Sequence, residues 1–228
     1  MGVAATRGRG VAAVVNSRYF FWLVLALPAA VQSYRYWQES IFYGEYLHWT
    51  GQVGTQLLIA TMAVTPLRLA FPTARWVRWL AARRRYLGVA TFAYSALHAI
   101  AYLERAEGAG DVVEDALGIA IGSGWIALLI FLVLAGTSNN ASVRKLRGGW
   151  KAVHRSIYVA AVLTFAHWML TAFDPMAGAA HLGVLVALEA YRIWKQRHRG
   201  SGKVALSPAA ISGDRSTSEA ASRNAPEP

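Results

Sequence analysis

The stretch RRRYLGVATFAYSALHAIAYLE, residues 83 to 104, indicates what kind of fold this chain has. Three arginines precede an uncharged run that extends from Tyr86 to Leu103. An α-helix over that run measures about 27 Å, close to the roughly 30 Å hydrocarbon core of a bilayer. We interpret the stretch as a membrane-spanning helix. His98 lies inside it, where an imidazole could either hydrogen-bond a neighbouring helix or bind a cofactor.

The composition agrees with a membrane protein and limits its chemistry. The chain has 228 residues, of which 55% are hydrophobic, and it contains no cysteine. Without cysteine there are no disulfides, thiolate metal sites or iron–sulfur clusters, so a redox function needs a bound cofactor. The net charge of +11 comes from basic residues that fall between apolar runs. A nucleic-acid binder would gather them on one face, so we expect membrane lipid and no nucleic acid as a partner.

Five further apolar runs accompany the first. The sequence therefore predicts an all-α integral membrane protein with six transmembrane helices. Small residues after Leu27 also fit a signal-peptidase site, and cleavage there would leave the later helices oriented as before. The six runs cover approximately residues 19–31, 51–67, 86–103, 117–136, 156–173 and 177–194.

The distribution of lysine and arginine predicts the orientation, because cytoplasmic loops retain these residues. With the N-terminus inside, 21 of the 23 basic residues lie on the inner side, and only Arg35 and Arg105 lie outside. Both termini are then cytoplasmic. We expect a cytoplasmic extension over 1–18, a six-helix domain over 19–196, and a disordered tail over 197–228 that is rich in serine, alanine and proline.

Two histidines are predicted to lie at one depth in the membrane. His98 follows Arg85 at the same sequence separation as His167 follows His154, and both helices run outward. Each would lie roughly 20 Å above its inner landmark. Two imidazoles at one depth can bind one haem iron from both faces, which leaves no position for substrate and favours one-electron transfer. The alternative is two polar contacts between helices at coincidentally equal depth.

Other candidate features are less specific. His154 lies among Lys151 and Arg155 near the inner surface, so it is either a ligand or a solvated side chain. His48 begins the second run on the outer side, where it is an interfacial residue or part of a quinone or partner site. The GSG at 122–124 is embedded in the fourth run with no preceding strand, so it does not indicate a dinucleotide site.

Three segments carry a family resemblance. They are HWTGQVGTQLLIATMAVTPLR (48–68), RRRYLGVATFAYSALHAIAY (83–102) and KLRGGWKAVHRSIYVAAVLTFAHW (145–168). Over residues 46–194 the chain resembles the MsrQ (YedZ) family, within the ferric reductase-like transmembrane superfamily. The resemblance implies a haem b subunit of the bacterial inner membrane. Such a subunit takes electrons from the quinone pool or a flavin reductase, with FMN as a further cofactor. It passes them to a periplasmic molybdopterin-dependent methionine sulfoxide reductase, which repairs oxidised envelope proteins.

By position, the resemblance also implies roles for single residues. His98, His154 and His167 match the haem-iron ligands of the family. The wider superfamily holds two stacked haems with four histidines, but Arg84 stands where the fourth would lie, so one or two haems are expected. Arginine does not normally bind iron, whereas the guanidinium groups of Arg84 and Arg85 could pair with a haem propionate or a flavin phosphate.

The leading hypothesis is therefore an electron-transfer subunit with no catalytic substrate site of its own. The electron donor must be separate, because the chain has no nucleotide-binding domain. One competing hypothesis is a transmembrane ferric or other metal reductase, which needs an outer site open to small chelates. Another is a non-redox membrane scaffold or transporter, in which the histidines only join helices.

Overall fold

A computed structural model describes residues 14–172 and 174–204, and for 199–204 the backbone alone. The regular structure in these ranges is helical. Short links interrupt it, for example at residues 71–74 and at Ser156. The helices are α1 (Arg18–Trp37), α2 (Tyr43–Ala70), α3 (Arg75–Arg105), α4 (Ala109–Leu117), α5 (Ile119–Gly136), α6 (Asn140–Leu146), α7 (Gly148–Arg155), α8 (Ile157–Thr171) and α9 (Pro175–Val204).

Four of these helices are long and apolar enough to cross a membrane: α2, α3, α5 and α9 as far as His198. In a bilayer a helix satisfies its own backbone hydrogen bonds, which is why such runs fold as helices. The described part of the chain is thus all-helical, and its long apolar helices are those of a multi-pass membrane protein. The first and fifth predicted runs correspond to α1 and α8. With 15 residues, α8 is only about 22 Å long. The six-span arrangement and the cytoplasmic termini remain predictions.

The fifth predicted run belongs to a longer helical path than α8 alone. α7 ends at Arg155, α8 begins at Ile157, and Ser156 between them has φ −61° and ψ −11°, close to helical values. The break before α7 is sharper, since Arg147 has a positive φ of 48°. The chain therefore turns at Arg147 and then continues through α7 into α8 with only a small irregularity.

Two helix pairs form the centre of the molecule. α2 packs along α3, and α5 packs along α8, while contacts of α3 with α5 and of α9 with α2 and α8 hold the pairs together. Ala160 and Ala161 are buried on α8, and small residues of this kind let membrane helices approach closely. The buried core between the pairs includes Leu58, Met62, Ala127, Phe131, Phe165, Trp168 and Leu185.

Apolar side chains also cover the outside of the bundle. Leu129 on α5, Val162 on α8 and Val186 on α9 are each more than half exposed. Exposed apolar surface on this scale marks contact with a membrane or a partner in a helical bundle. Because three different helices contribute, we attribute this surface to contact with lipid, in keeping with a multi-pass protein.

The ends of the chain bear on the predicted domain boundaries. α9 runs to Val204, which is beyond residue 196, where the sequence placed the end of the helical domain. Residues 1–13 of the predicted extension and 205–228 of the predicted tail lie outside the described ranges. At the N-terminal side, the buried Arg83 donates to the backbone carbonyl of Asn16 at 3.0 Å and lies over the ring of Trp79. This contact fixes the start of the described chain to α3.

Candidate cofactor site

A cavity of about 710 Å³ lies between α2, α3, α5 and α8. Its size falls within the range of about 300–1000 Å³ for small-molecule and cofactor sites. Apolar side chains such as Ala127, Leu128 and Phe131 form much of its wall. Three of the predicted site histidines line it: His48, His98 and His167. The cavity is therefore an apolar space with a few imidazole groups, as expected for a site that binds a large flat cofactor.

His98 of α3 and His167 of α8 approach each other in this cavity. Their ring centroids are 6.0 Å apart and their planes make an angle of 87°. Two metal–nitrogen bonds of about 2 Å each, plus the ring radius at each end, add up to roughly 6 Å. The spacing therefore suits two imidazoles that share one metal ion.

The hydrogen bonds of these histidines determine which nitrogen is available. The Nδ1 of His98 lies 2.9 Å from the carbonyl oxygen of Leu47, and that of His167 lies 2.8 Å from the carbonyl oxygen of Ala120. Only a protonated Nδ1 can donate to a carbonyl, so each neutral ring keeps its lone pair on Nε2. No hydrogen bond within the described ranges uses either Nε2. A backbone partner at the other nitrogen is the usual arrangement around a metal-binding histidine.

The remaining ligands of such a metal would have to come from a cofactor. Within residues 14–172 and 174–198, where side chains are described, no group of three or more histidine, aspartate or glutamate side chains could hold a metal ion. Iron in a porphyrin already has four nitrogen ligands and needs only two axial ones. The residues present therefore fit haem: two closely spaced imidazoles with free Nε2 atoms in an apolar cavity.

His154 lies apart from this pair, on α7, and does not line the cavity. Its ring stacks on Trp150 at 3.9 Å, its Nδ1 lies 3.2 Å from the Trp150 carbonyl, and its Nε2 lies 3.4 Å from the hydroxyl of Ser138. Burial lowers the pKa of His154 below its usual value, and the charges of Arg84 and Arg85 lower it further. Its neutral form is therefore favoured.

Arg84 and Arg85 belong to the same end of the bundle as His154. Arg84 is partly buried, and its Nη1 lies 3.4 Å from the hydroxyl of Thr65 on α2. Arg85 is exposed and donates to the side-chain oxygen of Asn140 at 2.9 Å. The structure thus groups His154, Arg84 and Arg85 away from His98 and His167. We name this group the inner basic cluster, after the side of the membrane that the sequence predicts for it.

His48 lines the same cavity as the histidine pair but is itself exposed. Its ring lies 6.4 Å from that of Trp168, and the ring of His181 lies 5.2 Å from the same tryptophan. His181 also approaches Gln56 on α2, with 3.3 Å between the two Nε2 atoms. His48 is thus an accessible imidazole at the edge of the cavity.

Sequence reasoning missed the backbone carbonyls that orient the two histidines. Leu47 and Ala120 contribute main-chain atoms, and no side-chain pattern marks them. Ser138 and Trp150 were also missed as partners of His154. Trp150 is four residues before His154, which is the spacing of neighbours on one helical face and could have been noticed.

Fold and cavity together define a class of protein: multi-pass helical membrane proteins with a cofactor-sized cavity, lined by histidines, between their helices. Residues 50–165 match the family described as the ferric reductase like transmembrane component. No solved structure matches the chain.

Relatives named protein-methionine-sulfoxide reductase heme-binding subunit MsrQ occur in several bacteria. The one from Ralstonia nicotianae is 35% identical over 162 residues, which cover 67% of this chain and 73% of the relative. The one from Xanthomonas campestris pv. campestris is 32% identical over 182 residues, covering 74% and 82%. The chain belongs to the MsrQ family of ferric reductase-like transmembrane proteins.

Proposed function

We propose that this chain is a haem b electron-transfer subunit of the bacterial inner membrane. It receives electrons from the quinone pool, directly or through a flavin, and passes them to a periplasmic molybdopterin-dependent methionine sulfoxide reductase. That partner repairs oxidised envelope proteins. One observation carries the proposal: the rings of His98 and His167 approach each other to 6.0 Å with both Nε2 atoms free of hydrogen bonds within the described ranges.

Haem held by His98 and His167 would supply one-electron transfer. Other residues of the chain would hold the two imidazoles in a fixed position for this electron transfer. The Nδ1–H bonds to the carbonyls of Leu47 and Ala120 fix the tautomer and limit rotation of each ring. Apolar side chains of the cavity wall, including Phe131 and Ala127, would limit the contact of a bound cofactor with water. Such a site changes oxidation state with little rearrangement of the protein.

A methionine sulfoxide substrate would then react on the partner. This view is supported by the names of the relatives, which describe a haem-binding subunit of a larger reductase. The charge distribution favours placing the histidine pair in the outer half of the membrane. The exposed His48 at the edge of the cavity is our candidate for contact with the partner or with a quinone.

The inner basic cluster is a second, weaker cofactor site in this proposal. His154 is its candidate iron ligand, with Arg84 and Arg85 available to pair with a haem propionate or the phosphate of FMN. Its Nε2 lies 3.4 Å from the Ser138 hydroxyl, a long hydrogen bond that a stronger ligand interaction could replace. The domain of residues 19–196 would thus relay electrons from the inner surface towards the histidine pair.

The optical spectrum of detergent-purified protein tests the assignment. We expect the absorption of low-spin, six-coordinate haem b, and we expect His98→Ala and His167→Ala each to remove or convert it. His198→Ala is the matched control, since that histidine is exposed near the end of α9. An unchanged spectrum in both cavity variants would overturn the proposal and would favour a scaffold or transporter, in which the histidines only join helices.

The direction of electron flow needs a second assay. A quinol analogue or an added flavin reductase should reduce the haem, whereas NADPH alone should not. Reoxidation should then require the periplasmic reductase with methionine sulfoxide.

A ferric reductase is the competing function, because the family description names that activity and the cavity has an accessible edge at His48. Sustained turnover with a ferric chelate and no partner would favour it.

A further inference from the structure

A glycine of a neighbouring helix lies behind each histidine of the pair. A Cβ atom on Gly51 of α2 would lie 3.0 Å from Nδ1 and 3.1 Å from Cε1 of His98. A Cβ on Gly124 of α5 would lie 2.8 Å from Nδ1, 3.0 Å from Cε1 and 3.1 Å from Cγ of His167. These distances are shorter than ordinary van der Waals contacts. Each imidazole therefore lies where the Cβ atom of a residue other than glycine would come too close to it.

The same two helices supply the carbonyls that bind the rings. Leu47 is one helical turn before Gly51, and Ala120 is one turn before Gly124, so each carbonyl and its glycine lie on one face of their helix. We name these two arrangements the glycine cradles: Leu47 with Gly51 for His98, and Ala120 with Gly124 for His167. In each cradle the ring lies against bare backbone while its Nδ1–H reaches the carbonyl one turn away.

We infer that Gly51 and Gly124 are positioning residues that set the depth and plane of the two axial imidazoles. This inference rests on the proposed function, because it concerns the haem ligands of that site. A ring pushed outward by a methyl group would lose the short Nδ1–H bond and would move its Nε2 into the cavity. The 6.0 Å separation of the rings would then change, and with it the fit to a shared iron.

Two other glycines of the bundle, Gly88 and Gly183, lack such a close neighbour. Gly88 on α3 would place a Cβ only 3.7 Å from a methyl of Thr61, which is an ordinary contact, and Gly183 on α9 has nothing within 4 Å. Alanine at either position gains helix propensity without a clash. Gly51 and Gly124 therefore differ from Gly88 and Gly183, because an imidazole lies directly against the backbone at these two glycines.

The two cradles differ in how closely the glycine approaches the ring, so alanine at the two positions should have effects of different size. Gly124 has three ring atoms of His167 within 3.1 Å, whereas the third atom near Gly51 is 3.9 Å away. A Cβ on Gly51 requires the ring of His98 to move by a few tenths of an ångström, whereas a Cβ on Gly124 requires a larger movement of the His167 ring. Gly124→Ala should therefore disturb the haem more than Gly51→Ala does.

The test compares Gly51→Ala and Gly124→Ala with the controls Gly88→Ala and Gly183→Ala, in the full-length protein. Haem content, the low-spin optical spectrum and the electron paramagnetic resonance (EPR) spectrum are measured on each. For Gly124→Ala we expect haem binding to weaken by about tenfold or more, as when the partner of a metal-binding histidine is lost. For Gly51→Ala we expect haem to be retained with an altered EPR spectrum. The controls should match the wild type.

The outcomes separate this inference from the proposed function. If the wild type holds no low-spin haem, the proposed function fails. If the wild type holds it and both cradle variants give wild-type haem content and EPR spectra, the positioning role is overturned. Helical circular dichroism and size-exclusion profiles check folding. Should Gly124→Ala not fold, the milder Gly51→Ala decides, because a changed EPR spectrum in a folded protein supports the role and an unchanged one refutes it.

Discussion

The imidazole planes of His98 and His167 are almost perpendicular, at 87°, although each ring belongs to a different helix pair. The angle follows from the hydrogen bonds, since His98 is tied to a carbonyl of α2 and His167 to a carbonyl of α5. Ring planes fixed by the protein in this way would persist when a cofactor binds. The geometry of the pair thus has spectroscopic consequences.

We predict that the oxidised protein gives a strongly anisotropic low-spin EPR signal. Perpendicular axial imidazoles leave two iron d orbitals nearly equal in energy, which spreads the g values. Low-temperature EPR of the purified protein measures this, and His198→Ala should leave it unchanged. The rhombic spectrum of parallel imidazole planes would contradict the prediction.

The inner basic cluster should hold its cofactor more weakly than the histidine pair. We predict a haem-to-protein ratio above one after gentle extraction. His154→Ala should lower this ratio by removing haem from the inner basic cluster, and His98→Ala should lower it by removing haem from the histidine pair. The reason is that His154 has no second histidine opposite it among the described residues, only Arg84 and Arg85 nearby. Quantitative haem and protein assays decide this. A ratio near one that His154→Ala does not lower would leave the inner cluster without haem.

The predicted orientation can be checked because the chain has no native cysteine. We expect Gly108→Cys to react with a membrane-impermeant thiol reagent in intact cells and Gly149→Cys to react only after lysis. Neither position has atoms within 4 Å of an added Cβ, so neither substitution should disturb the fold. Reversed labelling would overturn the orientation that the lysines and arginines indicate.

Removal of the cofactor should lower the thermal stability of the bundle. A ligand that binds only the folded state stabilises it by RT ln(1 + [L]/Kd), about 4 kcal/mol when its concentration is 1000 times Kd. We therefore expect haem-depleted protein to unfold at a lower temperature than loaded protein in the same detergent. The matched comparison is His98→Ala with and without added haem, where the difference should nearly vanish. An equal difference in the variant would place the stabilising ligand elsewhere.

Much of the site could be predicted from spacing, and the rest could not for physical reasons. His98 and His167 follow their inner landmarks, Arg85 and His154, at equal sequence separations, and the structure brings the two rings within 6.0 Å. The direction of each side chain was not predictable, because the predicted spans in α3 and α8 are apolar around their whole circumference and show no preferred face. The GSG at 122–124 had no clear role from sequence alone. Gly124 of this motif is important because it has no side chain. That importance becomes visible only when the structure places His167 beside it.

The two helix pairs of the bundle each contain half of the site. Leu47 and His98 are 51 positions apart within the α2–α3 pair, and Ala120 and His167 are 47 apart within the α5–α8 pair. Each half is contiguous in sequence, so the first can be complete on the ribosome before the second has been synthesised. A chain interrupted before α8 would carry one oriented imidazole and could not hold iron from both sides. Retention of the haem between His98 and His167 would therefore report that translation and insertion of both halves had finished.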